Sequence, residues 1–184
     1  MKFGIGLFSL QTHRENPVSH AEICKNTLEQ VKLAEKSNFY SAWISEHHFL
    51  EDGYCPSPLI LASAMAAVTT SIRLGTAGII LPLYNPIRVA EDSALVDNIS
   101  NGRLDLGVVL GYRKEEFEGF GIPIKQRPSR MEEGIEIVIR AWTEEGFSFE
   151  GKRYRFRNVN VTPKPVQKPH PPVYIGAFEE PAIR

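Results

Sequence analysis

Long apolar runs, an excess of one charge sign and cysteines are all scarce in this sequence, and each scarcity excludes a class of protein. No apolar stretch reaches the roughly 20 residues of a membrane-spanning helix. The net charge of −1 gives no basic surface for nucleic acid or an anionic membrane. The two cysteines, Cys24 and Cys55, fit a reducing compartment, and the chain opens on a strand-like segment rather than a signal peptide. We therefore expect a cytoplasmic protein with a small-molecule partner.

What the sequence does contain is an alternation of strand-like and helix-like segments. The predicted strands lie near residues 2–8, 42–45, 72–77, 103–110 and 173–177. Most are separated by about thirty residues, which is the length of a βα unit in a parallel α/β sheet. No Gly-x-Gly-x-x-Gly turn precedes the first helix, which argues against a doubly wound dinucleotide-binding sheet. The remaining choice is a TIM-type (β/α)₈ barrel, of which this chain would supply only about the first five strands.

Two helix starts are predicted from the same capping pattern. Ser19 is followed three residues later by Glu22, and Ser129 is followed in the same way by Glu132. In such a capping box the serine side chain and the acidic side chain satisfy backbone N–H groups of the first turn. The sequence therefore predicts helices that begin directly after Ser19 and Ser129.

The segment from Leu59 to Val68 contains no charged residue and several alanines. A helix that is apolar or small on all sides has to be covered on more than one face. Either the rest of the barrel or a second subunit must cover it. We expect the chain to self-associate through this helix.

Residues 146–160 depart from the alternation of strands and helices. Two short β-like pieces, Phe147–Glu150 and Arg153–Phe156, flank Gly151. This pattern predicts a surface hairpin inserted into the last crossover. Residues 1–184 would then form the N-terminal part of a barrel with a hairpin insertion at 146–160.

Titratable residues gather where the second predicted strand ends, in Glu46-His47-His48. The carboxyl ends of parallel strands form the rim on which barrel active sites lie. Because strand side chains alternate, His47 should face one side of the sheet, and Glu46 and His48 the other. The alternative is that both imidazoles only satisfy hydrogen bonds at a strand end. A metal site is not predicted, since the motif is not a helical His-Glu-x-x-His.

Two further strand ends are rich in small residues. The third strand ends in Gly75-Thr76-Ala77-Gly78, where a flat ligand could approach the backbone, although a bulge or tight packing explains the pattern equally well. The fourth strand leads into Gly111 and a charged helical segment. Such a glycine turn can hold an anion through free N–H groups or merely connect two elements.

With these motifs together, the sequence resembles the bacterial luciferase-like monooxygenase family along its whole length. The resemblance rests on four blocks in matching order, at residues 43–49, 74–82, 101–107 and 116–121. It implies a (β/α)₈ barrel, usually dimeric, that binds reduced flavin mononucleotide (FMN) at the carboxyl ends of its strands. It also implies a flavin reductase as supplier, and the use of dioxygen, through a flavin hydroperoxide, to oxidise a small organic substrate.

Position by position, the resemblance implies roles for particular residues. His47 matches the family's catalytic histidine, and an imidazole can take and return a proton near neutral pH. The bond between Ala77 and Gly78 matches a non-prolyl cis peptide under the flavin ring. The loop beside the flavin is matched by Gly111, Tyr112 and Arg113. The turn near the flavin phosphate is matched by Ala177, Phe178 and Glu179.

Two positions depart from the family pattern. Leu110 stands where the luciferases place an arginine toward the phosphate, and Glu179 stands where they place a serine. A carboxylate repels a dianion, so the phosphate site is weakened unless Arg113, Arg127 or Arg130 supplies the charge. These departures and the shortened chain leave a non-catalytic or truncated flavin-binding homologue as one alternative. A deazaflavin-dependent oxidoreductase is the other, since the same barrel also serves that cofactor.

Overall fold

A parallel sheet at the centre of the molecule positions the site. The structure is a computed structural model and describes residues 1–176. The eight strands in this range are β1 (Gly4–Phe8), β2 (Ser41–Ile44), β3 (Arg73–Thr76), β4 (Ile79–Ile80), β5 (Leu104–Val109), β6 (Phe147–Glu150), β7 (Arg155–Val159) and β8 (Val173–Gly176). The five helices are α1 (His20–Lys36), α2 (Pro58–Val68), α3 (Pro86–Ile99), α4 (Lys114–Gly119) and α5 (Arg127–Thr143).

The strands of the large sheet run parallel in the order β1-β2-β3-β5-β8. β4 also pairs with β5, in register Ile79↔Val108, so β3 and β4 occupy one strand position that is interrupted at Ala77–Gly78. β4 was not predicted, because two residues after a break show no alternation. Five strand positions with helices between them form a partial (β/α)₈ barrel, as the sequence predicts.

Of the two helix starts predicted from capping boxes, one is confirmed. The Ser19 side chain accepts a hydrogen bond from the Glu22 N–H at the start of α1. The prediction at Ser129 is wrong, because α5 already begins at Arg127 with Pro128 in its first turn, where proline is well tolerated. The Ser129 hydroxyl instead donates to the Gln126 carbonyl. In the described part of the chain, no helix combines the length and apolarity needed to cross a bilayer.

Two apolar clusters fill the space between the sheet and its helices. One packs α3 and α5 against β5 and the hairpin strand β6, with Trp142 only 1% exposed at its centre. The other packs α1 and α2 against β2 and β3, with Met65 fully buried. Full burial of one such large side chain stabilises the fold by about 2–3 kcal/mol. The strand ends that carry the polar residues are therefore held on a well-packed base.

Two carboxylates fix loops on the outside of the sheet. Glu35 of α1 accepts backbone N–H bonds from Thr70, Ser71 and Ile72, at 2.9, 2.6 and 2.9 Å. Glu133 of α5 holds the turn between β6 and β7 in the same way, through the N–H groups of residues 152–154. These N–H groups bond to Glu133 rather than to β6, so β7 starts two residues after the predicted position.

Candidate active site

A cavity of about 440 Å³ opens where the strands of the parallel sheet end. This volume lies in the range of small-molecule sites, about 300–1,000 Å³. Its wall takes residues from the ends of β1, β2, β3, β5 and β8 and from α5. The lining residues are Leu7, Ser45, Glu46, His47, Tyr54, Ala77, Gly78, Ile80, Val109, Leu110, Gly111, Tyr112, Arg127 and Gly176. The polar strand ends singled out in the sequence thus meet at one place.

His47 is held by a buried carboxylate on α4. Its Nδ1 lies 2.8 Å from Glu116 Oε1, and Glu116 is 0% exposed. The same oxygen accepts the backbone N–H of His48 at 2.9 Å. Because a carboxylate accepts hydrogen bonds and does not donate them, we assign the neutral ring proton of His47 to Nδ1. Its Nε2 is then an acceptor available to the cavity.

Two tyrosines surround the free side of this imidazole. The Tyr112 hydroxyl lies 3.5 Å from His47 Nε2. The Tyr54 ring packs edge-on against the imidazole, with 4.7 Å between the ring centroids, and its hydroxyl donates to Ser45 Oγ at 2.7 Å. The His47 side chain keeps 19% of its surface exposed. It is therefore fixed in orientation and still accessible from the cavity.

His48 lies on the other side of the strand, paired with its own carboxylate. Its Nε2 is 2.9 Å from Glu46 Oε1, which also accepts the Tyr84 hydroxyl. The second Glu46 oxygen accepts the Ile80 N–H at 2.6 Å. Burial, followed by the charge of Glu46, raises the pKa of the Tyr84 hydroxyl, so Tyr84 stays a donor. His48 does not line the cavity, so the two histidines separate as predicted. The expectation for Glu46 is wrong, because Glu46 lines the cavity together with His47. The strand β2 ends at Ile44, so the alternation of side chains does not continue through these residues.

Bare backbone forms one part of the cavity wall. The peptide bond between Ala77 and Gly78 is cis, in agreement with the resemblance. A Cβ atom added at Gly78 would lie 2.9 Å from Val109 Cγ1, and one at Gly111 would lie 2.6 Å from Ile80 Cγ2. Gly111 also has a φ of +75°, which favours glycine. A larger residue at Gly78 would therefore force the Val109 side chain to move, and one at Gly111 would force Ile80 to move.

The structure brings most of the site residues named from the sequence together, though not all of them. The cavity is lined by His47, Ala77, Gly78, Gly111 and Tyr112. Arg113 is not a lining residue, and its Nε lies 3.7 Å from Glu116 Oε1. Ala177, Phe178 and Glu179 fall outside the described residues. The departure at Leu110 gives the wall an apolar side chain.

Glu116 is the residue that sequence reasoning missed. It stands in the fourth family block, but no role was assigned to it. Its partner His47 is 69 residues away, so no local spacing relates the two. The available signal was a carboxylate in the first turn of a helix that follows the glycine turn at a strand end. Its Oε2 atom is buried without a hydrogen-bond partner among the described residues, as is Arg113 Nε.

The residues of the cavity suit a flavin better than a metal ion. Within residues 1–176, no three His, Cys, Asp or Glu side chains form a group that could hold a metal. The bare wall at Ala77–Gly78 and Gly111 leaves room for a flat ring, and apolar side chains of Ile80 and Val109 adjoin it. An arginine binds a phosphate strongly through paired N–H donors, and Arg127 lines the same cavity. These features fit FMN.

Comparison with known proteins places this geometry in a family. Among curated proteins, the oxygenase component of flavin-dependent trigonelline monooxygenase from Acinetobacter baylyi is 29% identical, covering 92% of this chain and 48% of that protein. The alkanal monooxygenase alpha chain of Photorhabdus laumondii is 30% identical, covering 96% of this chain and 48% of that one. The chain thus spans about half the length of these curated relatives.

Solved structures share the fold. Monooxygenase RslO1 from Streptomyces bottropensis is 35% identical, with a TM-score of 0.92, covering 99% of this chain and 55% of that chain. An F420-dependent secondary alcohol dehydrogenase in complex with an F420-acetone adduct is 23% identical, with a TM-score of 0.77, covering 95% of this chain and 52% of that one; this likeness concerns the fold alone. The family model described as luciferase-like monooxygenase matches residues 1–184. The chain belongs to the luciferase-like monooxygenase family.

Proposed function

We propose that this protein is a flavin-dependent monooxygenase that uses reduced FMN and dioxygen to oxidise a small organic substrate. The observation that carries the proposal is the orientation of His47: Nδ1 is bound to buried Glu116, while Nε2 faces a cavity with a bare-backbone wall. The name of the trigonelline relative, an oxygenase component, supports a separate reductase as the source of reduced flavin. We propose a cytoplasmic location, where such a reductase would meet it.

His47 is the proposed acid and base of the reaction. Its Nε2 accepts a proton from the reacting group and returns it, while Glu116 keeps the Nδ1 proton in place and stabilises the imidazolium. A positioned acid or base of this kind contributes about 10²–10⁴-fold to the rate. Reduced FMN, when bound, supplies the electrons for the chemistry with dioxygen. The chain supplies orientation and proton transfer.

The cofactor-binding residues are proposed from the same wall. Ala77 and Gly78 would lie under the flavin ring, and Gly111 and Tyr112 beside it. Arg113 would act through Glu116, 3.7 Å from its Nε, rather than by touching the ring. Ala177, Phe178 and Glu179, which the resemblance assigns to the flavin phosphate, follow directly in sequence after β8, whose last residue, Gly176, lines the cavity. Apolar Ile80, Val109 and Leu110 would limit the access of water.

The test is an anaerobic titration of the chain with reduced and with oxidised FMN, followed by calorimetry. A monooxygenase that takes its flavin from a reductase should bind the reduced form more tightly. Equal affinity for both forms, or no binding of either, would favour the non-catalytic homologue instead.

A deazaflavin-dependent oxidoreductase is the second candidate, because an F420-dependent secondary alcohol dehydrogenase shares the fold. A parallel titration with reduced F420 decides between the cofactors. Tighter binding of F420 than of FMN would replace the FMN proposal.

We also propose that the protein is a homodimer that associates through α2. This helix contains no charged residue, and its Ile60 is 74% exposed in the single chain. Leu95 and Ile99 of α3, which packs beside α2, are 50% and 46% exposed. Burying such side chains in a second copy would stabilise the dimer by about 1.5–3 kcal/mol for each residue that becomes fully covered.

A further inference from the structure

Arg127 is the one lysine or arginine that lines the cavity within the described residues. We propose that Arg127 binds the phosphate of the flavin cofactor in this chain, in place of the arginine that position 110 lacks. This inference rests on the proposed function, since it takes the cavity to be a flavin site. It names the residue of this chain that supplies the positive charge which the family places at position 110 and which Leu110 lacks.

The position of the Arg127 guanidinium relates it to the strand end at Leu110. Its Nη1 donates to the Gly111 carbonyl at 3.0 Å, and Gly111 follows Leu110 directly in the chain. Arg127 is the first residue of α5, so a different element reaches the end of β5. The structure therefore places a cation beside the position where the side chain of residue 110 is apolar.

No carboxylate among the described residues 1–176 neutralises the charge of Arg127. Among residues 1–176 it forms no ion pair with an aspartate or glutamate, and its hydrogen bond goes to a neutral carbonyl. By contrast, Arg73 donates to both carboxylate oxygens of Asp105, at 2.8 and 2.7 Å. A guanidinium with uncommitted N–H donors can bind a phosphate with two parallel hydrogen bonds, and it keeps its charge at every working pH.

The two competing arginines contact the protein outside the cavity lining. Arg130 donates from Nε to the Pro82 carbonyl at 2.6 Å, and its guanidinium lies over the Tyr154 ring, 5.0 Å from the centroid. Arg113 lies beside the buried carboxylate of Glu116. Neither of these arginines lines the cavity. Of the three arginines that the sequence leaves open, the contacts thus favour Arg127.

The experiment compares FMN with riboflavin, which has the same ring and no phosphate. Dissociation constants for both, in their reduced forms and without oxygen, are measured by calorimetry on the unmodified chain and on the variants Arg127→Gln, Arg127→Lys and Arg130→Gln. Arg127→Gln should weaken FMN binding by about 10–100-fold, the value of a hydrogen bond to a charged group. Riboflavin binding should change by less than about twofold, because the ring contacts are untouched. The FMN affinity of Arg127→Lys should lie between that of the unmodified chain and that of Arg127→Gln, since lysine keeps the charge and loses the planar fork.

The outcomes separate this inference from the proposed function. If the unmodified chain binds neither flavin, the flavin proposal fails and this inference fails with it. If the chain binds riboflavin as tightly as FMN, the flavin site stands and the role of Arg127 is overturned. The role is also overturned if Arg127→Gln weakens both flavins equally, or if Arg130→Gln removes the preference for FMN while Arg127→Gln keeps it. Thermal melting of each variant verifies that the fold is retained.

Discussion

His47 Nδ1 lies 2.8 Å from Oε1 of Glu116, a residue 69 positions further along the chain. The contact joins the end of β2 to the short helix α4, which follows the end of β5, and it fixes the imidazole of His47 at the cavity wall. Because Glu116 is fully buried, its carboxylate has few alternative partners. The proton of the neutral ring is thereby kept on Nδ1, and Nε2 is left as a proton acceptor that is accessible from the cavity.

Replacing Glu116 tests this assignment of the ring proton. In the unmodified chain, nitrogen-15 NMR should find neutral His47 with its proton on Nδ1. Glu116→Ala should release this tautomer preference, whereas Glu116→Gln should preserve it, because the amide oxygen still accepts a hydrogen bond. Glu116→Gln should still lower activity by about tenfold or more, since it no longer stabilises the imidazolium. A Glu116→Ala variant that keeps the proton on Nδ1 would show that Glu116 does not set it.

Gly111 allows a test of the bare cavity wall with a closely matched control. Alanine at Gly111 or Gly121 meets a similar backbone conformation, with φ of +75° and +68°, which costs about 1 kcal/mol or more. Only the Cβ atom at position 111 is crowded, 2.6 Å from Ile80, whereas the one at 121 meets nothing within 4 Å. Gly111→Ala should therefore destabilise the chain more than Gly121→Ala. It should also weaken FMN binding about tenfold or more.

The control for this comparison is chemical denaturation of both variants alongside the flavin titration. Gly121→Ala should bind FMN like the unmodified chain. Equal flavin affinity in the two variants would mean that the backbone at Gly111 does not adjoin the cofactor.

Glu35 predicts a stability change in acid. Burial tends to raise the pKa of this carboxyl, but the backbone N–H groups of Ile72, Ser71 and Thr70 outweigh it and lower the pKa from 4.5 to about 2. A lowered folded-state pKa contributes stability that is fully present above about pH 4.5 and is lost as the pH falls toward 2. After allowance for solvent screening at this half-exposed site, we expect the ionised Glu35 carboxylate to contribute about 1–2 kcal/mol to the free energy of unfolding at neutral pH.

The measurement is the free energy of unfolding by urea between pH 7 and pH 3 for the unmodified chain, Glu35→Gln and the exposed control Glu15→Gln. Glu35→Gln should be less stable at neutral pH, and its difference from the unmodified chain should shrink in acid. A difference that stays constant with pH would show that the carboxylate charge of Glu35 is not responsible.

Ile60 tests the proposed dimer. Ile60→Glu places a charge in the uncharged face of α2 and should convert the dimer to a monomer in sedimentation velocity. Leu33→Glu is the matched control, because Leu33 is 64% exposed on α1, away from the proposed interface. An unmodified chain that sediments as a monomer at micromolar concentration would overturn the dimer proposal, and dissociation by Leu33→Glu would place the interface elsewhere.

Patterns that act within a few residues predicted much of the fold. Apolar segments located the five strand positions, and the cap at Ser19 located the start of α1. Strand alternation gave the correct separation of His47 from His48 but placed Glu46 on the wrong side, since β2 ends at Ile44. Local patterns fail where two of them compete. At Ser129 a capping box competed with Pro128, and the proline position decided where α5 begins.

The site was harder to predict from the sequence than the fold, because its contacts join segments that are far apart in the chain. A residue such as Glu116 is recognised as part of the site only when α4 is folded against the end of β2. The same holds for Arg127, which reaches the end of β5 from another element. The rule that barrel active sites lie at the carboxyl ends of the strands indicated where the cavity is. Tertiary packing determined which carboxylate contacts His47 and which arginine lines the cavity.

We propose that His47 is the proton-transferring group of a flavin site, and mixing the reduced, flavin-loaded chain with oxygen measures this role. The chain is loaded anaerobically with reduced FMN, mixed with oxygenated buffer, and followed by the return of oxidised-flavin absorbance. We predict that His47→Ala binds reduced FMN within about twofold of the unmodified chain but slows this return by about tenfold or more. His13→Ala, an exposed histidine outside the cavity, should match the unmodified chain. Identical traces for His47→Ala and His13→Ala would contradict the claim.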